Sequence, residues 1–127
     1  MKLIIGGYSQ GKLNYVLKNS EFGNYVICDG QLTDCIDAND KTIIINHFHN
    51  WVKKSIINDG CPEKEVIEFV NKQPHCIIIS DEIGNGIVPI DSFEREYRER
   101  TGRILIELAG MAEEVVRVIC GIGQKIK

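Results

Sequence analysis

The sequence predicts an α/β fold, a mostly parallel sheet in three layers with helices on both faces. Three observations carry that prediction. Continuously apolar runs at residues 42–45 and 76–80 read as strands covered on both sides. Stretches with apolar residues at steps of three and four alternate with the strand-like runs. The first apolar run, residues 2–6, leads at once into Gly6-Gly7-Tyr8-Ser9-Gln10-Gly11-Lys12, which joins a first strand to a first helix. Residues 1–127 are read as one such domain, long enough to bury about two thirds of its unfolded surface.

Two glycines with four residues between them, Gly6 and Gly11, the second followed by lysine, have the spacing of a phosphate-cradling P-loop, so the expected sheet is of the P-loop, RecA-like kind. Glycine lets the backbone curl until successive N–H groups point inward, and the helix behind adds its positive N-terminal end. Gly6, Gly7, Tyr8, Ser9, Gln10, Gly11, Lys12 and Leu13 are therefore the expected nucleotide-binding residues, with Lys12 reaching the outer phosphates of ATP or GTP. The pattern breaks at one position. Ser or Thr would follow the lysine and ligate Mg²⁺ through its hydroxyl, but Leu13 stands there and has no oxygen to offer.

The remaining elements follow in order. Residues 12–19 read as the first helix, with Leu13, Val16 and Leu17 on one face, and residues 25–28 as a second strand stopped by Asp29-Gly30. Residues 31–41, with Asp34, Asp37 and Asp40, read as loop with at most one helical turn. The strand at 42–45 ends on Asn46, at the edge where open α/β sheets bind ligands. A helix over 49–58 presents Trp51, Val52, Ser55 and Ile56. Another opens at Cys61-Pro62, with proline at its first position, and carries Val66, Ile67, Phe69 and Val70. After the strand at 76–80, residues 81–89 form a shaped loop. Asp91 and Glu94 read as a capping box for a long helix with Phe93, Tyr97, Thr101, Ile104, Leu108, Met111 and Val115 on one stripe. Residues 115–120 give a last central strand, and 121–127 an edge strand.

Fifteen basic against 18 acidic side chains give a net charge of −3, which argues against a nucleic-acid partner. No apolar run is long enough for a membrane span, and residues 1–6 do not read as a signal peptide. Five cysteines without a C-x-x-C pair read as reduced thiols of a cytoplasmic protein.

Among the acidic residues, Asp81 follows four mostly apolar residues, the position of an aspartate that holds Mg²⁺ through water, and Glu82 can orient a nucleophile. The plainer alternative is a pair of loop carboxylates capping local N–H groups. His47 and His49 alternate on one side of a segment read as extended. They suit two metal ligands, a phosphate donor, a substitute nucleophile or polar filler at a strand end. Trp51 is either a stacking platform or core. Arg95, Arg98, Arg100 and Arg103, interleaved with glutamates, read as a solvated or intersubunit face.

The loop at Gly6 to Lys12, the stretch Asp81 to Pro89, Thr101-Gly102-Arg103 and the ending Cys120-Gly-Ile-Gly-Gln-Lys-Ile-Lys127 together resemble the bifunctional adenosylcobinamide kinase/adenosylcobinamide-phosphate guanylyltransferase family of cobalamin biosynthesis. The resemblance implies a nucleoside triphosphate as phosphate donor, a corrinoid as acceptor and assembly as a homo-oligomer, a trimer in that family. From the residues themselves, Lys12, Asp81 and Glu82 are the expected catalytic residues, with Asp81 the expected metal ligand. This chain also departs from the pattern. The family's guanylylated histidine follows its second strand, whereas no histidine precedes His47 here. The glutamate that ends the family's third strand is replaced by Asn46. Two functions follow from these features: a kinase without guanylyl transfer, or a non-catalytic module that senses nucleotide or corrinoid.

Overall fold

The computed structural model describes residues 1–21, 23–32, 40–84 and 90–127. Most of the acidic loop expected at 31–41, with Asp34 and Asp37, and the Asn85 to Pro89 part of the later loop lie outside them. The described elements run β1 (Lys2–Gly6), α1 (Lys12–Asn19), β2 (Tyr25–Asp29), β3 (Thr42–Asn46), α2 (Phe48–Ile57), α3 (Pro62–Lys72), β4 (Ile77–Asp81), α4 (Ser92–Met111), β5 (Glu114–Ile119) and β6 (Ile122–Lys125). They form one six-stranded sheet in the order β2-β3-β4-β1-β5-β6. All neighbours are parallel except β5 and β6. The expected three-layer α/β sheet is what the chain builds.

Alternation along the strands divides the core in two. Leu3, Ile43, Ile45, Ile78 and Val115 face α2, α3 and α4, and pack with Phe48, Val52, Val66, Phe69, Ile104 and Leu108. Ile4, Ile44, Ile77, Ile79, Val116 and Val118 face the other way, against Val16, Leu13 and Leu17 of α1. Both faces of β1, β3 and β4 are thereby dry, which is why those strands read as unbroken apolar runs. Trp51 stacks on Phe48, ring centroids 5.5 Å apart, and packs against the first cluster, so its place is on the core.

Several boundaries differ from expectation. The stripe read through Met111 to Val115 crosses a helix end: α4 stops at Met111, Ala112 turns extended (φ −68°, ψ 141°), and Val115 lies in β5. The β-branched pair Val115-Val116 favours that strand. Asp91 does cap α4, accepting from the Phe93 N–H at 2.8 Å, while Glu94 turns to Lys53 at 3.1 Å. His47 and His49 do not alternate on an extended segment. Asn46 is the last strand residue, His47 caps α2 in the left-handed region (φ 52°, ψ 47°), and His49 belongs to the helix's first turn. The tail at 122–125 is the antiparallel edge strand, joined to β5 by a two-residue turn in which Cys120 (φ 51°) and Gly121 (φ 76°) take the left-handed conformations of a tight hairpin.

Topology places the site. From β1 the chain leaves along α1, on one face, to the far edge at β2. From β4 it leaves toward α4, on the opposite face, and crosses β1 to reach β5. Connections that diverge to opposite faces leave a crevice at the carboxyl ends of the two strands between them. Those strands are β1 and β4. No helix among the described residues is long and apolar enough to cross a membrane.

Candidate functional site

A cavity of about 360 Å³ opens at that crevice, lined by Tyr8 to Asn14 of the glycine loop and α1, by Asn46 at the end of β3 with His47 and His49 after it, and by Ile79 and Asp81 of β4. The structure thus brings most of the expected residues together. Gly6 and Gly7 do not line the cavity. Gly6 ends β1 so close to β5 that a Cβ there would lie 2.5 Å from the Val118 carbonyl oxygen, and only glycine fits. Glu82 does not line it either. Its carboxylate closes on Arg117, Nη2 donating at 3.0 Å and Nε 2.9 Å from the other oxygen, and its N–H donates to the Gly6 carbonyl at 2.8 Å.

The loop is shaped by two left-handed residues, Ser9 (φ 54°) and Gly11 (φ 82°). Gly11 caps α1 and has no side chain, so no side-chain oxygen takes up the first N–H groups of the helix. An uncapped helix start facing a cavity offers donors and positive potential to an anion. The hairpin turn holds the loop from outside. Gln10 accepts from the Gly121 N–H through its carbonyl and from the Cys120 N–H through Oε1, both at 2.8 Å.

Lys12 is buried, and its Nζ lies 2.6 Å from Asp81 Oδ1 while donating to the Gly7 carbonyl at 2.7 Å. Asp81 sits one strand over, in register with Gly6, which fixes the pairing without any long side-chain reach. His49 holds Asp81 from the other side. Its Nδ1 accepts from the Asp81 N–H at 3.1 Å and its Nε2 lies 3.3 Å from Oδ2. A ring that accepts at Nδ1 carries its proton at Nε2 and is neutral. Burial pushes its pKa below the usual value in the same sense, against the opposing pull of Asp81, with His47 and Lys12 lowering it further. The Tyr97 hydroxyl donates to the His49 carbonyl at 3.0 Å and pins the start of α2 to α4. In sequence, nothing distinguished His49 from His47. The signal was there only in the helical spacing that turns His49 back toward β4.

A second group lies at the ends of β2 and β3. Asp29 and Asn46 are register partners, and the Asn46 amide donates to Asp29 Oδ1 at 3.1 Å. His47 Nδ1 stands 2.5 Å from the same oxygen. In sequence Asp29 is only part of a turn dipeptide, and its contact with Asn46 and His47 comes from the pairing of β2 with β3.

As for metals, no group of three or more His, Cys, Asp or Glu side chains among the described residues has the arrangement of a metal site. Asp81 alone, with Leu13 in place of a hydroxyl, fits Mg²⁺ only in the manner of an ion carried mainly by phosphate oxygens and water.

Fold and site together define an α/β protein of the P-loop class. The chain belongs to the cobinamide kinase / cobinamide phosphate guanyltransferase family, whose profile matches residues 21–126. It is similar to the bifunctional adenosylcobalamin biosynthesis proteins CobU of Salmonella typhimurium and of Escherichia coli, 43% identical to each over 51 residues. Those residues are 40% of this chain and only 28% of each relative.

Proposed function

We propose that this protein binds a nucleoside triphosphate in the glycine loop and transfers the terminal phosphoryl group to a hydroxyl of cobinamide. The observation that carries this reading is the buried Lys12–Asp81 pair beside the uncapped start of α1. Phosphoryl transfer asks a protein mainly for positioning and charge neutralisation. Here Lys12 supplies a positive charge, the N–H groups of residues 7–13 supply donors, and α1, α2 and β4 all contribute to the cavity lining. Lys12 is paired with Asp81 and the Gly7 carbonyl, and its ammonium is the group that would meet the triphosphate. Asp81 would hold Mg²⁺, which would supply charge neutralisation at the phosphates.

Glu82, engaged with Arg117, serves to anchor β4 to β5 beside the site. The guanylyl-transfer step of the family is not proposed, because no histidine precedes His47. Assembly as a homo-oligomer, a trimer in the family it resembles, accords with the exposed Ile119, Ile122 and Ile126 at the β5–β6 edge.

The test is calorimetric titration of ATP and GTP with and without Mg²⁺, followed by an assay for phosphate transfer to cobinamide. Binding plus Mg²⁺-dependent transfer is the expected result. A loop that binds neither nucleotide at millimolar concentration overturns the proposal. One pair of observations favours a second reading, a nucleotide or corrinoid sensor without turnover: Leu13 offers no oxygen, and Asn46 has its amide committed to Asp29. Tight Mg²⁺-independent binding without transfer would decide for the sensor.

A further inference from the structure

We infer that His47, oriented by Asp29, is the proton acceptor for the attacking hydroxyl, a role that rests on the phosphoryl-transfer reading above. Of the two histidines in the cavity only one is available. Both ring nitrogens of His49 are turned to Asp81. Among the described residues His47 has only Nδ1 engaged, 2.5 Å from the Asp29 carboxylate and 3.3 Å from the Asn46 amide nitrogen, and its side chain is half exposed. A carboxylate at Nδ1 keeps the proton on that nitrogen and leaves a lone pair on Nε2, the arrangement of a base held by an orienting acid. Asn46 fixes the acid in turn.

The backbone supports the same assignment. His47 is held in the left-handed region (φ 52°), a conformation strained for a non-glycine residue that persists where surroundings over-determine it.

Lys12 and His47 line the same cavity, Lys12 against Asp81 at the end of β4 and His47 beyond the neighbouring β3. A base must come within hydrogen-bond reach of the acceptor hydroxyl there. As the acceptor oxygen bonds to phosphorus, its proton passes to His47 Nε2. The bond to the bridging oxygen breaks, and the electron pair leaves on the nucleoside diphosphate. Water takes the proton from His47 after release.

The experiment uses the full chain with ATP or GTP and cobinamide, comparing wild type with His47→Gly and Asp29→Asn. Glycine suits the φ of 52° and leaves room for added imidazole. The expected outcome is nucleotide affinity within about threefold of wild type, with phosphate transfer down by roughly 10²- to 10⁴-fold in His47→Gly and partly restored by imidazole. Asp29→Asn should lose transfer without imidazole rescue while keeping affinity. Transfer near wild-type level in His47→Gly overturns the inference and leaves the kinase reading standing. Loss that imidazole does not repair, in a variant that still binds nucleotide, makes His47 a positioning residue and also overturns it. A wild type that binds triphosphate but transfers to neither cobinamide nor water does the same, whereas one that binds no triphosphate sinks the kinase reading itself.

Discussion

Lys12 and Asp81, 69 residues apart in the chain, meet at 2.6 Å because β1 and β4 pair in a register that sets Gly6 beside Asp81. The ammonium of Lys12 is thus neutralised by a carboxylate. This protects a buried ammonium from standing unpaired, which would be costly.

Replacing that lysine gives the first prediction. Lys12→Ala removes the charge-assisted contacts and should weaken ATP or GTP binding by roughly 10- to 100-fold. Calorimetry on a variant shown by circular dichroism to be folded is the measurement. An affinity within threefold of wild type would place the nucleotide elsewhere.

Leu13→Ser supplies the hydroxyl missing from the loop. The expected result is a larger gain in nucleotide affinity on adding Mg²⁺ than wild type shows, and faster transfer. Leu13 packs partly against Val16 and the second core cluster, so a stability loss of about 1 kcal/mol should accompany it. Titrations with and without the metal separate the two effects, and an unchanged Mg²⁺ increment would mean that position 13 does not face the ion.

Gly6→Ala tests the close approach of the loop base to β5. The added Cβ would sit 2.5 Å from a backbone oxygen, which cannot swing aside as a side chain can. A destabilisation of roughly 1–3 kcal/mol is expected from chemical denaturation. An unchanged midpoint would show that the strands separate freely there.

Acid sensitivity should have a source away from the site. The Arg100 guanidinium, bonded to Glu63 through Nε and Nη2 at 2.7 and 2.9 Å, draws the Glu63 carboxyl from 4.5 down to about 2. The folded pKa is depressed, so the stabilisation is present above the unfolded value near 4.5. It fades as pH falls from there through about 2. Because both side chains are partly exposed, water screens the pair and its worth is about 0.5–1 kcal/mol. Glu63→Gln should remove that increment at pH 7 and flatten the denaturation midpoint between pH 5 and pH 3. An unaltered pH profile would show that the pair adds nothing.

Residue order alone determined the layered sheet, the glycine loop between β1 and α1 and most helix spans. Each rests on a local rule: apolar runs for doubly covered strands, glycine where the chain must curl, threes and fours for a helix face. The same local rules failed wherever a partner distant in sequence decided the outcome. His47 and His49 looked equivalent two residues apart. The start of α2 at Phe48 sends His49 back onto Asp81 and leaves His47 beside Asp29, because a helix rotates successive side chains by about 100° where a strand would alternate them. Glu82 looked as available as Asp81 until the pairing of β1 with β5 put Arg117 against it. Glycine, lysine and aspartate could be read from the string. Which histidine turns to Asp81 was settled by where α2 begins, and which carboxylate faces the cavity by strand order and register, since those fix what lies across from each side chain.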